Sequence, residues 1–284
     1  MQTVLEIIKA TTSYFEKRGI ENPRLNVEHL LSHVLGIRRM ELYMQFDRPL
    51  GETELGPLRE LVKRRGAGEP LQHLLGSVEF FGREFICDGR GLVPRPETEQ
   101  LVEKVLERLK AQFNETGERQ RVVDVGTGSG VIAITLALEC PWLEVWAVDR
   151  EEAALELAGM NAKQLGVRDQ VRLVQGDLLE GLDGPFNWIV ANLPYIPTDQ
   201  IATLATEVQH DPHSALDGGV EGLDLIQRLI EQAPGVLQKN GGIALEIGHN
   251  QADAVCHLLQ NNFSSVSVEQ DYHGIERFVL GSYG

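Results

Sequence analysis

The sequence predicts an α/β fold: a mostly parallel sheet with helices on both faces, joined through a β-hairpin to a small N-terminal helical domain. Three observations predict it. Between residues 121 and 280, short apolar runs alternate with helical stretches, the pattern of a parallel sheet buried on both sides. Gly126-Thr127-Gly128-Ser129-Gly130 links the first of these runs to a helix, at the strand end where open α/β sheets form their ligand crevice. Before residue 77, apolar positions recur at helical spacing, cut by glycine and proline.

Residues 3–35 read as two helices, separated at Gly19 and Asn22-Pro23. Gly36, Pro49-Leu50-Gly51 and Gly56-Pro57 punctuate further short helices up to about Arg65, and residues 66–70 close the unit with a loop. In residues 77–87, Val78, Phe80, Phe81, Phe85 and Ile86 flank Gly82-Arg83, the composition of a β-hairpin. Residues 93–99 lead into a helix that runs to about Gln112. Pro96 and Glu97 suit its first turn, which has no internal N–H partners and welcomes negative charge. Strands are predicted at 121–125, 143–148, 171–175, 186–191 and 242–247, with 264–269 and 277–280 closing the sheet at seven. The intervening helices are 131–139, stopped by Pro141, then 151–165, capped by Gly166, then 223–238 and 250–261. The expected domains are 1–76, a linking hairpin at 77–92, and 93–284.

A chain of 284 residues with 42% apolar content is comfortable for two globular domains. No apolar run approaches the roughly 20 residues that span a bilayer, so no membrane partner is expected. Residues 1–10 alternate Val4-Leu5 and Ile7-Ile8 with Glu6 and Lys9, an amphipathic helix opening rather than a signal peptide. Cys87, Cys140 and Cys256 lie far apart without metal-ligand spacing, which points to a reduced cytoplasmic setting and to no bound metal. Residues 1–90 hold 13 basic and 13 acidic residues. The whole net charge of −16 therefore falls on the remainder, with 13 basic and 29 acidic residues. Phosphate backbones are neutralised by Lys and Arg, so direct nucleic-acid binding is disfavoured there. Arg38-Arg39 and Lys63-Arg64-Arg65 in the neutral part are either a partner contact or ordinary exposed charge.

The glycine loop narrows the ligand. A dinucleotide fingerprint, G-x-G-x-x-G, requires a glycine at position 131, where this chain has Val131. A loop with its third glycine at Gly130 suits a nucleoside with a small tail better than a pyrophosphate. Asp149 ends the next strand, where an acid accepts hydrogen bonds from both ribose hydroxyls. Asp177 follows the third strand and is placed to meet an adenine amino group, with Leu178 packing on the ring. Asp124, ending the first strand, is placed to pair with a cationic amino group. Together these residues fit S-adenosylmethionine, which carries an ammonium, a sulfonium and no phosphate.

Asn192-Leu193-Pro194-Tyr195 follows the apolar run Trp188-Ile189-Val190-Ala191, at the tip of the fourth strand. It offers a flat polar group a side-chain oxygen on Asn192, a carbonyl on Leu193 and an aromatic wall at Tyr195. Pro194 restricts residue 193 to extended conformations and so aims that carbonyl. Two acceptors so placed take both hydrogens of a carboxamide and aim its nitrogen at the cofactor methyl.

The glycine loop with Asp149 resembles the class I methyltransferases. A wider set resembles the protein-(glutamine N5) methyltransferases of peptide chain release factors, the PrmC/HemK family. It comprises Pro94-Arg95-Pro96-Glu97-Thr98-Glu99, the Asn192 tetrapeptide, Ala215-Leu216-Asp217-Gly218-Gly219, Gly222-Leu223-Asp224 and Asp271-Tyr272-His273-Gly274-Ile275-Glu276-Arg277. The resemblance covers nearly the whole chain. It implies a Rossmann-like seven-stranded domain, with S-adenosylmethionine as donor and S-adenosylhomocysteine as product. It implies as acceptor the glutamine of the Gly-Gly-Gln loop of bacterial release factors, methylated by an enzyme expected to be a monomer. The family tetrapeptide is usually Asn-Pro-Pro-Tyr, and Leu193 departs from it, with slightly lower rigidity expected. Arg95 and Glu97 receive no role from the sequence. His210, His213, His249 and His273 fall in loops or at element ends, and His29 and His33 on helix faces, without a catalytic assignment. The rival readings are an adenine-N6 methyltransferase of RNA or DNA, a non-catalytic cofactor-sensing or ribosome-binding module, and an NAD-dependent oxidoreductase.

Overall fold

The computed structural model describes residues 2–284. The chain divides into two compact units, Met1–Ser77 with Ala205–His210, and Val78–Leu204 with Asp211–Gly284.

The first unit is helical: α1 (Val4–Glu16), α2 (Pro23–Leu35), α3 (Arg39–Leu42), α4 (Glu52–Gly66) and α5 (Leu71–Leu75). Thr3 and Glu6 start α1 with a reciprocal capping box, at 3.3 Å and 2.8 Å. Contrary to the sequence expectation, Gly56-Pro57 does not break the chain, and α4 runs through it. The hydrogen bond that Pro57 forgoes lies in the second turn, so the loss falls near an end that is already short of partners. Phe15, Leu30, Leu31 and Leu42 form the core, each completely buried and each contributing about 1.5–3 kcal/mol. Glu28 is buried among them and accepts from Arg24 (2.9 Å), Arg39 (3.1 Å) and Tyr43 (2.9 Å). Arg65 is also buried, bonded to Asn26 (2.7 Å) and to Glu207 (2.7 Å) of the returning segment. Arg38 pairs with Glu41 and Arg64 with Glu69. Of the two basic clusters, four side chains are thus engaged within the unit, which favours ordinary charge pairing over a partner contact.

The second unit opens with the hairpin β1 (Ser77–Phe80) and β2 (Arg83–Ile86). Phe81 (φ +52°) and Gly82 (φ +69°) form its two-residue turn with both φ positive, as tight hairpins require. Phe80 and Phe85 enter the core edge to face, 6.0 Å apart. Then come α6 (Pro96–Thr116), β3 (Gln120–Val125), α7 (Val131–Glu139), β4 (Leu143–Asp149), α8 (Glu152–Gln164), β5 (Val171–Gln175), β6 (Phe186–Ala191), α9 (Asp224–Gln232), β7 (Leu237–Glu246), α10 (Ala252–Leu259), β8 (Ser265–Gln270) and β9 (Glu276–Tyr283). The sheet order is β5-β4-β3-β6-β7-β9-β8, with β9 antiparallel to both neighbours and the rest parallel. The predicted seven-stranded, mostly parallel sheet is therefore present. One helix was predicted too long. Residues 223–238 divide into α9, a 3-10 turn at Ala233–Gly235 and the start of β7, because Pro234 cannot continue the helix.

Successive residues of a strand face opposite sides, and the core follows. Val122 and Val190 pack under α6 and α7, while Val123 and Ile189 pack under α9 and α10. No helix among the described residues is long and apolar enough to cross a membrane.

Candidate active site

A cleft of about 980 Å³, counted with its part open to solvent, lies beyond the carboxyl ends of β4, β3 and β6. Its floor is the glycine loop. The amides of Gly126 and Thr127 both donate to the Val148 carbonyl, at 2.8 Å and 2.9 Å, which folds the loop back over β4. Gly128 has φ +55°, and a Cβ there meets nothing within 4 Å, so it faces open space. Its amide donates to Asp149 Oδ2 at 2.9 Å, and Asp149 Oδ1 accepts from the Glu151 amide at 3.0 Å. Burial pushes the Asp149 carboxyl up, against these two bonds. Leu178 (φ +55°) and Asp177 line the far side, with Asp177 paired to Arg228 at 2.7 Å.

The tip of β6 forms the opposite wall through Asn192, Leu193 and Pro194. Asn192 Nδ2 donates to Thr98 Oγ1 at 3.0 Å, and Thr98 Oγ1 donates to Glu246 Oε2 at 2.8 Å. Among the described residues no donor is placed on Asn192 Oδ1. Leu193 is buried, and a Cβ on Gly126 would lie 2.8 Å from its Cδ2. Arg95 lines the cleft and is held at 2.8 Å by Asp211, which also accepts from the Val93 amide at 3.2 Å.

Three sequence-predicted residues do not line the cleft. Asp124, one residue before the end of β3, shares the face of Val122 and turns beneath α7. There it accepts from Thr127 Oγ1 (2.6 Å) and the Ala133 amide (3.1 Å), strapping the loop to the helix. Burial pushes its carboxyl up to about 7, against both bonds. Through Oδ2 Asp124 thus fastens the loop, while its buried Oδ1 has no hydrogen-bond partner among the described residues. Gly130 is a packing glycine, since a Cβ there would lie 2.8 Å from Ile134 Cδ1 and 3.0 Å from Ala158 Cβ. Tyr195 turns toward Gly248, and burial pushes its hydroxyl up to about 12. It supports the tetrapeptide from outside the cleft.

Two residues fasten the tetrapeptide: Gln251, which lies outside the sequence motifs, and Gly222, which belongs to one of them. Gln251 Nε2 donates to the Tyr195 carbonyl at 3.0 Å, while its Oε1 accepts from the Gly248 amide at 2.7 Å. Gly222 (φ +72°) lets that carbonyl approach, because a Cβ there would sit 2.2 Å from it. Gly222→Ala is expected to lower unfolding stability by about 2–3 kcal/mol from left-handed strain and displaced backbone. Urea denaturation reads it, and wild-type stability would contradict the close-approach account. Glu246 did leave a sequence signal: a charged residue inside the apolar strand Ile243-Ala244-Leu245.

Comparison with known proteins gives the family. Residues 6–76 match the PrmC N-terminal domain, and residues 101–219 the methyltransferase small domain. The release factor glutamine methyltransferase of Chlorobaculum tepidum is 40% identical over 281 residues, 97% of this chain and 95% of that protein. That of Geobacter sulfurreducens is 40% identical over 285 residues, 99% and 97% of the two chains. The chain belongs to the release factor glutamine methyltransferase family. Membership was legible in the motifs, and the structure accounts for several of them. Gly218 and Gly222 of the family motifs pack against the Pro194 and Tyr195 carbonyls. Asp271, of the tail motif, accepts from the His273 and Ile275 amides. A solved methyltransferase from Pyrococcus furiosus, 17% identical, covers 82% of this chain and 100% of its own at a TM-score of 0.54, a likeness of fold.

Proposed function

We propose that this family member transfers a methyl group from S-adenosylmethionine to N5 of the glutamine in the Gly-Gly-Gln motif of bacterial peptide chain release factors. The observation that carries the reading is the commitment of Asn192 Nδ2 to Thr98 at 3.0 Å, which leaves Oδ1 as the free acceptor at the cleft. The cofactor fits the residues present. Gly128 leaves space where any other residue would carry a Cβ, and Asp149 lines the same cleft with a half-buried carboxylate suited to ribose hydroxyls. The cleft is of ligand size. Asp177 and Leu178 suit the adenine side.

When bound, S-adenosylmethionine supplies an electrophilic methyl; the amide nitrogen forms the new N–C bond, the S–C pair returns to sulfur, and one amide proton leaves to water. The chain's own contribution is orientation. A carboxamide nitrogen is a poor nucleophile because its lone pair is delocalised. Asn192 Oδ1 and the Leu193 carbonyl accept its two hydrogens, fix its plane, and stabilise the positive charge that develops on it. Such positioning is worth up to about 7–11 kcal/mol in favourable systems, with acceptors aimed at developing charge adding to it. Thr127, Ser129 and Gly130 complete the loop that shapes the cofactor side, directly or through packing. The helical residues 1–76 are read as the unit that docks the protein substrate.

The main rival, methylation of an adenine amino group in nucleic acid, is disfavoured by the concentration of the entire −16 charge after residue 90. Incubation of the full chain with a release factor and donor, followed by mass spectrometry, is expected to show one added methyl on the Gly-Gly-Gln glutamine. Methyl incorporation into ribosomal RNA with an unmodified release factor would reject the reading.

A further inference from the structure

We infer that Thr98 and Glu246 form a polarity relay that fixes which end of the Asn192 carboxamide faces the methyl acceptor, an inference that rests on the function proposed above. Three elements meet at this point: the first turn of α6 through Thr98, the tip of β7 through Glu246 and the tip of β6 through Asn192. Thr98 is 3% exposed and Glu246 2%. Neither is needed by its own element there. The Thr98 amide, not its hydroxyl, bonds to the Arg95 carbonyl at the helix start.

The logic is one of proton counting. A hydroxyl has one hydrogen to give, and a carboxylate can only accept. With Glu246 ionised, the Thr98 hydrogen goes to Glu246 Oε2 at 2.8 Å, and Thr98 Oγ1 is left as an acceptor. Its neighbour Asn192 must then turn its Nδ2 toward it, as found at 3.0 Å. Oδ1 consequently faces away from Thr98, where it accepts from a substrate N–H. The reversed amide would oppose an N–H to an N–H and hold the acceptor nitrogen away.

The relay depends on the charge of Glu246. Facing it are Arg277 from β9, Arg95 and Glu97 at the start of α6, and Tyr195. Burial pushes the Glu246 carboxyl up to about 7, against the Thr98 bond and the charges of Arg277 and Arg95, with Glu97 adding to the rise. Protonated, Glu246 can donate to Thr98 Oγ1 and release the Thr98 hydrogen toward Asn192, which reverses the amide. Because this pKa is raised in the fold, ionisation lowers stability as pH climbs from the ordinary carboxylate range to about 7. The working state of the relay is therefore the less stable one.

The test uses the full chain and an intact release factor. Wild-type transfer is measured first; its absence overturns the function and the relay with it. Thr98→Val, nearly isosteric, is expected to lower kcat by about 30- to 100-fold with the dissociation constant of S-adenosylmethionine nearly unchanged by calorimetry. Thr98→Ser is expected to restore most of the rate. A wild-type kcat in Thr98→Val, or equal impairment in the serine and valine variants, overturns the relay alone. A second measurement stands apart from the folding of these variants. The wild-type kcat is expected to rise with pH through about 7, and Glu246→Gln to remove that rise. A flat wild-type profile, or a rise that persists in Glu246→Gln, overturns the relay as well.

Discussion

Asn192→Ala is expected to reduce methyl transfer to the release factor by about 100- to 1,000-fold, the range seen when one preorganised transition-state partner is removed. Affinity for S-adenosylmethionine is expected to stay within a few-fold. The asymmetry follows from what Asn192 touches. Its Nδ2 is spent on Thr98, and in the proposed function its Oδ1 takes an N–H of the acceptor, so its removal would delete a contact made most strongly as charge develops on nitrogen. Thr98 and Glu246 keep their mutual bond at 2.8 Å, so the fold loses little. Single-turnover transfer with labelled donor, beside calorimetry of cofactor binding, separates the two quantities. Equal loss of both would show that Asn192 builds the cofactor pocket rather than aligning the acceptor.

Asp149→Ala is expected to act in the opposite sense, weakening S-adenosylmethionine by at least roughly 100-fold with smaller change in kcat at saturation. Two hydrogen bonds from hydroxyls to a charged acceptor contribute about 1.5–3 kcal/mol each, and one tenfold change in affinity is about 1.4 kcal/mol. Asp149 also holds the Gly128 and Glu151 amides, at 2.9 Å and 3.0 Å, so its loss loosens the glycine loop in the same step. Asp149→Asn, which retains an acceptor oxygen without the charge, is expected to fall between alanine and wild type. Unchanged cofactor affinity in Asp149→Ala by calorimetry would reject the ribose assignment.

Both expectations rest on residues whose importance was visible without coordinates, whereas others were not. Asp149 stands directly after an apolar strand and one helix beyond a glycine loop, so local order alone placed it at the crevice. Asp124 obeyed the same rule in sequence yet lies out of the cleft, because the penultimate residue of β3 faces the α7 side while Val125 faces the other. A single step along a strand reverses the face, and strand ends are where that parity is hardest to read. Gly130 was grouped with its neighbours by type, but its contacts with Ile134 and Ala158 are those of helix packing. Pro234 ends the helix expected over 223–238, since a proline forbids its continuation.

The sequence by itself determined most element types, the alternation of strand and helix that makes a mostly parallel seven-stranded sheet, the position of the glycine loop and the family. Each of these depends on neighbours a few residues apart, where periodicity, capping and turn chemistry act. Only the tertiary structure decided how the tetrapeptide is held. Thr98 meets Asn192 across 94 positions and Glu246 across 148. Nothing local to any of the three residues specifies that meeting. It arises because the sheet order carries the tips of β6 and β7 side by side, while α6, which precedes the first strand of that sheet, brings Thr98 to them.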